Sequence, residues 1–408
     1  MKYIHVALMA GLLSGCIDSG SDESSNGTGT NHQGSEPTLS GLFKDTRTVG
    51  LDYKVGTYTD RTDELGAFKY FSEDDDITFS VGGVVLGTVK VSQVLTPIDL
   101  FVDGTSEKID VQNIVSFLLA LDDDADPSNG INITEAQAEE AKSWHQLDFS
   151  SANFETDVAT IDTDIVLPTS IEAREHIEAT YRCMYSGLWI GEYGGNNVDE
   201  GKFFSYAAIN STGSKVASYS TMYPAYQLSS SEEPVSYKNE VLAVTGDTST
   251  GSYFKAEFPN ISEAFGTWKF NGSEEGTLSS NRFNKDLTYQ NRITASLSDS
   301  EAGYSQNTNY YIAVDIKDNG EYKIAVRTFN EELSGNLLFS FIPEVTKRID
   351  EVYEGMGTLD SSGEGTLILD GINKKIKIDT DFNTNTVSIL SDSDTTLATG
   401  SGSSCKLL

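Results

Sequence analysis

Behind a single basic residue, Lys2, the chain runs apolar from Ile4 to Leu13 and then turns small at Ser14-Gly15-Cys16. An apolar run of about ten residues is too short to cross a bilayer, which needs about 20. With small residues at its end it reads as a secretory signal over residues 1–15. From 16 to 40 large apolar side chains almost vanish among Ser, Gly, Asn, Thr and acids. Such a segment cannot bury enough surface to offset its ordering entropy, so it predicts a disordered tether.

Period-two patterning follows over residues 41–103. Ile77-Thr78-Phe79-Ser80-Val81 alternates, and Val81 to Val89 is β-branched and broken by glycines, which predicts a small β-sandwich. Over 104–182 the period lengthens. Val111, Ile114, Val115 and Leu118 lie on one face of a helix spanning 110–121. Thr134 with Gln137 fits a capping box for a second helix. Thr169 with Glu172 starts a third, with Ile171, Ile177, Tyr181 and Met184 along its apolar face.

Over 183–408 alternation returns. Tyr310, Ile312, Val314 and Ile316 lead into Asp318-Asn319-Gly320, and Tyr322, Ile324 and Val326 lead out, a hairpin signal. Thr366 to Asp370 and Lys375 to Asp379 predict another around Gly371-Ile372-Asn373. Gly187-Leu188-Trp189 and Gly266-Thr267-Trp268 share a Gly-x-Trp opening, although two copies do not establish a repeat. The expected fold is mainly β with a helical insert: a small N-terminal β-sandwich, central helices, then an antiparallel β-barrel or sandwich of about eight or more strands.

Charge narrows the partners. Lys plus Arg number 28 against 62 Asp plus Glu, a net charge of −34. Binding nucleic acid by neutralising phosphates is excluded on this balance. An acidic surface suits a salty medium, divalent cations or basic partners. Of the three cysteines, Cys183 and Cys405 remain once Cys16 is set aside. An even pair in an exported chain predicts a disulfide joining both ends of the C-terminal region. In the chain-entropy model so long a loop contributes up to about 5 kcal/mol.

One stretch has a physical case for metal. Asp122-Asp123-Asp124-Ala125-Asp126-Pro127-Ser128-Asn129-Gly130-Ile131-Asn132-Ile133-Thr134-Glu135 lies between the first two helices. Ca²⁺ takes six to eight oxygens, and carboxylates at alternate positions can converge on it. The stretch resembles an EF-hand-type loop with Asp122, Asp124 and Asp126 as the first ligands. The amide of Asn129, the carbonyl of Ile131 and the closing acid Glu135 would complete it. Pro127 stands in place of the turn glycine, and Glu135 falls at position fourteen instead of twelve. Acids after a helix C-terminus face the negative end of its dipole and one another, and a cation reverses both penalties. The expected role is structural. The alternative is a solvated acidic turn.

Leu13-Ser14-Gly15-Cys16 also resembles the bacterial lipobox. That resemblance implies cleavage before Cys16, lipidation of that cysteine as the mature N-terminus, and a lasting membrane anchor. Ile17 rather than Asp follows the cysteine, which in enteric lipoproteins implies the outer membrane. Thr62-Asp63-Glu64-Leu65-Gly66-Ala67-Phe68-Lys69-Tyr70 is similar to the T-D-x-x-G-x-F-x-Y hairpin of carboxypeptidase-regulatory-like β-sandwiches, a likeness of fold and not of peptidase activity. With the Leu121 to Ile131 segment, the layout resembles the multi-domain envelope lipoproteins of marine gamma-proteobacteria.

No G-x-S-x-G, nucleotide-binding loop, zinc spacing or cysteine-nucleophile signature is present. Of the four histidines, His5 lies in the signal, His32 in the tether, and His145 and His176 in helical stretches. The functional expectation is therefore a non-enzymatic, lipid-anchored envelope protein that binds a glycan, a small ligand or a protein partner, or adheres. Two alternatives stand beside it: a periplasm-facing structural or assembly lipoprotein, and a hydrolase working through paired carboxylates.

Overall fold

The computed structural model describes residues 36–406, less 197, 210–213, 220–225, 230–240, 246–252, 271–273, 287, 300–307, 335–343 and 381–383. The signal, most of the tether, and Cys16 with them, lie outside the described residues.

Eight short strands open the fold: β1 (Leu39–Phe43), β2 (Thr48–Val49), β3 (Asp52–Val55), β4 (Tyr58–Arg61), β5 (Ala67–Tyr70), β6 (Asp76–Val81), β7 (Val84–Lys90) and β8 (Val94–Leu95). Seven of them form two small sheets, β5-β1-β8 and β4-β3-β6-β7, and β2 belongs to neither. Alternation turns Phe43 and Phe68 of one sheet and Phe79 of the other into a shared core, with ring centroids 4.6 Å and 5.5 Å from Phe79. The T-D-x-x-G segment is not a hairpin. β4 pairs only with β3 and β5 only with β1, so the segment carries the chain from one sheet to the other. Asp63 Oδ1 accepts from the amides of Leu65 and Ala67, each at 2.9 Å, and Gly66 takes φ +75° to complete the turn.

The central segment holds α1 (Ile109–Ala120), β9 (Ile131–Asn132), α2 (Glu135–Ala141), α3 (Phe154–Val158) and α4 (Ser170–Tyr185). Reciprocal capping boxes start α2 at Thr134 and α4 at Thr169, as the sequence predicts. The short α3 has no counterpart in the expectation. α1 serves two cores: Ile114, Phe117 and Leu118 face the small sandwich, while Val111 and Val115 face α4. On α4 the buried stripe is Ala173, Ile177, Tyr181 and Met184; Ile171 is 59% exposed because it lies half a turn from that stripe.

The rest is two sheets of eight strands each. The first comprises β10 (Gly187–Asn196), β11 (Val198–Ala207), β12 (Ser214–Tyr219), β13 (Tyr226–Ser229), β14 (Val241–Thr245), β15 (Tyr253–Asn260), β16 (Glu263–Phe270) and β17 (Glu274–Arg282). The second comprises β18 (Asn291–Asp299), β19 (Thr308–Ile316), β20 (Glu321–Ser334), β21 (Glu344–Thr358), β22 (Glu364–Leu369), β23 (Lys374–Thr380), β24 (Asn385–Ser391) and β25 (Thr396–Lys406). Their orders are β13-β12-β11-β10-β17-β16-β15-β14 and β21-β20-β19-β18-β25-β24-β23-β22. Counted from its own first strand, each is the same meander, with first strand paired to eighth. The repeated unit is thus the whole eight-stranded sheet. The two Gly-x-Trp openings are β10 and β16 of the first sheet.

The second sheet curls into a nearly closed antiparallel barrel. Ile312, Val314, Ile324, Ile376, Val387 and Ile389 fill it. Glycines of β25 make room for side chains of its neighbour β18. A Cβ on Gly400 would stand 2.4 Å from Leu297 Cδ2, and one on Gly402 2.6 Å from Ile293 Cγ2. Its ends β21 and β22 share no backbone ladder. Tyr322 stitches them instead: its ring lies between Gly357 and Gly365, and its hydroxyl donates to the Thr366 carbonyl and accepts from the Thr366 amide, both at 3.0 Å.

α4 ties both sheets together. Tyr185 stacks on Phe258 at 4.5 Å, and Trp189 Nε1 donates to the Tyr185 carbonyl at 3.0 Å. Cys183 of α4 is disulfide-bonded to Cys405 of β25, with Cα atoms 5.9 Å apart. Beside it Arg292 is buried. It grips Asp315 with two nitrogens, at 2.5 Å and 2.7 Å, and donates to the Ser186 carbonyl at 2.7 Å. A cation at that place complements the α4 C-terminus.

Candidate metal centre

α1 ends where the chain turns from Leu121 into the acids. The Ala125 amide donates to the Asp122 carbonyl, and Ala125 takes φ +55°. That reversal brings three successive carboxylates together. One oxygen from each of Asp122, Asp123 and Asp124 lies within 4.8 Å of the other two. Asp122 is only 7% exposed, whereas Asp123 and Asp124 face solvent.

The loop is held at both ends. Asp122 Oδ1 accepts from the Asn132 amide at 2.9 Å, and the Asp123 amide donates to the Asn132 carbonyl at 3.2 Å. Asp122 Oδ2 meets no N–H or hydroxyl donor, and the Asp122 carboxyl is hydrogen-bonded to that of Asp124. Burial pushes the Asp122 pKa up, and the charges of Asp124 and Asp123 add to the rise against the Asn132 amide. Asp124 is held below its ordinary value by the Asn129 side-chain amide and the Asp126 backbone amide.

The expected ligands separate into groups. Asp122 and Asp124 meet, and Asp123, outside the expected set, joins them. Asp126 turns its carboxylate to the Ser128 amide at 3.1 Å and caps a 3₁₀ turn over Pro127–Asn129. Asn129 donates its side-chain amide to Asp124 Oδ2 at 2.7 Å. Ile131 is buried in β9, its amide donating to the Arg47 carbonyl at 2.7 Å. Glu135 is exposed in the first turn of α2. Adjacency in sequence was the signal for Asp123, but a helical or extended backbone would have spread the three acids apart.

A second polar group escaped the sequence reading. Lys44 and Arg47 bridge a tight turn whose Thr46 takes φ +55°. The Thr46 amide donates to Thr180 Oγ1 of α4 at 3.2 Å. Asp45 is fully buried, with Oδ1 3.2 Å from His176 Nε2. Lys44 is 2% exposed, and its ammonium has no hydrogen-bond partner. Burial, then Arg47 and Arg292, holds its pKa well below the ordinary lysine value. Enclosed in this way, Asp45 and His176 face each other at ion-pair distance between the turn and α4. His145 is exposed, 3.3 Å from Thr160 Oγ1.

A third group closes one end of the second barrel. Lys374 Nζ lies 3.0 Å from Asp299 Oδ2 and 2.9 Å from the Tyr310 hydroxyl. All three side chains are buried, and they satisfy one another where the apolar filling stops.

No family model and no curated protein matches this chain. Among solved structures, a protein of unknown function from the DUF3598 family of Nostoc punctiforme overlaps it with 9% identity and a TM-score of 0.18. The overlap covers 56% of this chain and 98% of that one. A TM-score that low carries neither a fold nor a function across. Among the described residues no helix is long and apolar enough to cross a membrane.

Proposed function

We propose that this is a non-enzymatic lipoprotein of the cell envelope, anchored through acylated Cys16, whose β modules form a binding or adhesion surface. The observation that carries the reading is the Cys183–Cys405 disulfide. Such bonds persist in oxidising, exported settings and are rare in the cytosol. It agrees with the apolar leader and the Leu13-Ser14-Gly15-Cys16 segment, and Ile17 after the cysteine favours the outer membrane.

The packed interior of the second barrel supports contact with partners on outer surfaces and loops. A small ligand held in that lumen would have to displace core side chains. The net charge of −34 favours partners that are basic or carry cations.

Fractionation tests the anchor. The parent chain should sediment with outer membranes and need detergent for release, whereas Cys16→Ser should leave it. A parent chain found wholly in the soluble fraction would refute the proposal. Protease added to intact cells separates the two remaining readings, because a periplasm-facing assembly protein stays protected.

A further inference from the structure

We infer that the sheltered face of the first eight-stranded sheet holds a carboxylate on an apolar chain, of the fatty-acid class, with its head on Arg282. The site depends on neither the lipid anchor nor the surface contacts proposed above. Register defines the face. Between β10 and β17, Trp189 pairs with Arg282, Gly191 with Ser280 and Tyr193 with Leu278. Between β17 and β16, Ser280 pairs with Ala264 and Gly276 with Trp268. Directly opposed residues share one face of a sheet, and the residues between them lie on the other. Glu192, Thr277, Ser279 and Asn281 accordingly make an exposed outer face. Trp189, Ala264 and Leu278 are buried in one cluster with Tyr185 of α4.

Arg282 supplies the head position. It is 4% exposed, its Nη1 reaches the Ile261 carbonyl only at 3.4 Å, and its Nη2 meets no acceptor. A buried guanidinium with an unused N–H is strongly disfavoured, and its planar fork matches a carboxylate. Arg292 shows the satisfied arrangement in the same chain, with two nitrogens on Asp315.

Room for the chain lies beside it. Gly191, Ser280 and Ala264 stand abreast on three neighbouring strands, one row from Arg282, and all three are small. The second barrel fills its interior with branched side chains such as Ile312, Val314 and Ile324. Farther from Arg282, Tyr193 and Trp268 meet edge to face with ring centroids 5.8 Å apart, and both are only partly buried. They offer apolar surface at the open end. The other end is closed by Trp189 and Tyr185, each packed on Phe258. From Arg282 to Gly276 the strand runs about 20 Å, which suits an extended long acyl chain. A bare inorganic anion would satisfy Arg282 and leave the small row and the two aromatic rings uncovered.

The test uses the full-length chain carrying Cys16→Ser, so that no detergent competes for the site. Equilibrium dialysis with myristate should show one molecule bound per chain, with altered tryptophan emission because Trp189 and Trp268 flank the site. Methyl myristate, which keeps the chain and loses the charge, should bind about ten- to hundredfold more weakly, the range for a hydrogen bond to a charged group. Arg282→Gln should weaken myristate by the same factor and leave methyl myristate unchanged, a split that loss of the fold would not produce. Ser280→Leu, which fills the small row, should weaken both ligands. No bound myristate up to its solubility limit, equal affinity for acid and ester, or undiminished myristate binding by Arg282→Gln would each overturn the inference.

Discussion

His176 sits on the inner side of α4 against the fully buried Asp45. Burial alone would lower its pKa, but the Asp45 carboxylate and its hydrogen bonding outweigh burial and the net shift is upward from 6.5. A histidine whose folded pKa is raised contributes stability that is fully present below the unfolded value and is lost as pH rises through the folded one. His176→Gln should therefore be less stable than the parent near pH 6, with the gap narrowing as pH rises above the ordinary histidine value. Lys44, whose pKa moves down, titrates in the opposite sense in both proteins and cancels in the comparison. Chemical denaturation across that range checks this; a gap independent of pH would mean that His176 acts by packing alone. None of it was legible in the sequence. Asp45 and His176 meet only because a tight turn is buried against a distant helix, and nothing local to either residue announces that. The acidic loop was half legible: its composition pointed to Asp122 and Asp124, whereas the turn at Ala125 that recruits Asp123 and diverts Asp126 is a backbone event.

Helix starts were the most legible elements, since a capping box is a contact between residues three apart that needs no tertiary partner. The hairpins of β19 with β20 and β22 with β23 were readable for the same reason. Which strands join across the sheets was not, because pairing first to eighth depends on contacts between distant residues. The closure of the second barrel shows why. No strand pattern marks the β21–β22 seam, and the Tyr322 hydroxyl spans it to the Thr366 backbone. Tyr322→Phe should keep the ring between the glycines and leave the Thr366 amide and carbonyl without their partner. A loss of about 1–3 kcal/mol is expected in denaturant unfolding, with faster exchange at the Thr366 amide. An unchanged midpoint and unchanged exchange would show that the seam holds without that hydroxyl.

Across the whole molecule, the mainly β class and the helical insert followed from period alone, because burial on one face leaves its mark every two residues or every three to four. The expected disulfide is present. The division of the C-terminal region into two sheets of one topology left no comparable mark, since meanders tolerate divergent side chains so long as alternation survives. These modules share one acidic chain with an apolar run from Ile4 to Leu13 and a cysteine at residue 16, and the proposed lipid anchoring is the central claim. Mass spectrometry of the mature N-terminal peptide tests it most directly. The account predicts a peptide that begins at Cys16 and carries the added mass of a diacylglyceryl group and an amide-linked acyl chain. A peptide that begins elsewhere, or at Cys16 with a free thiol, would contradict it.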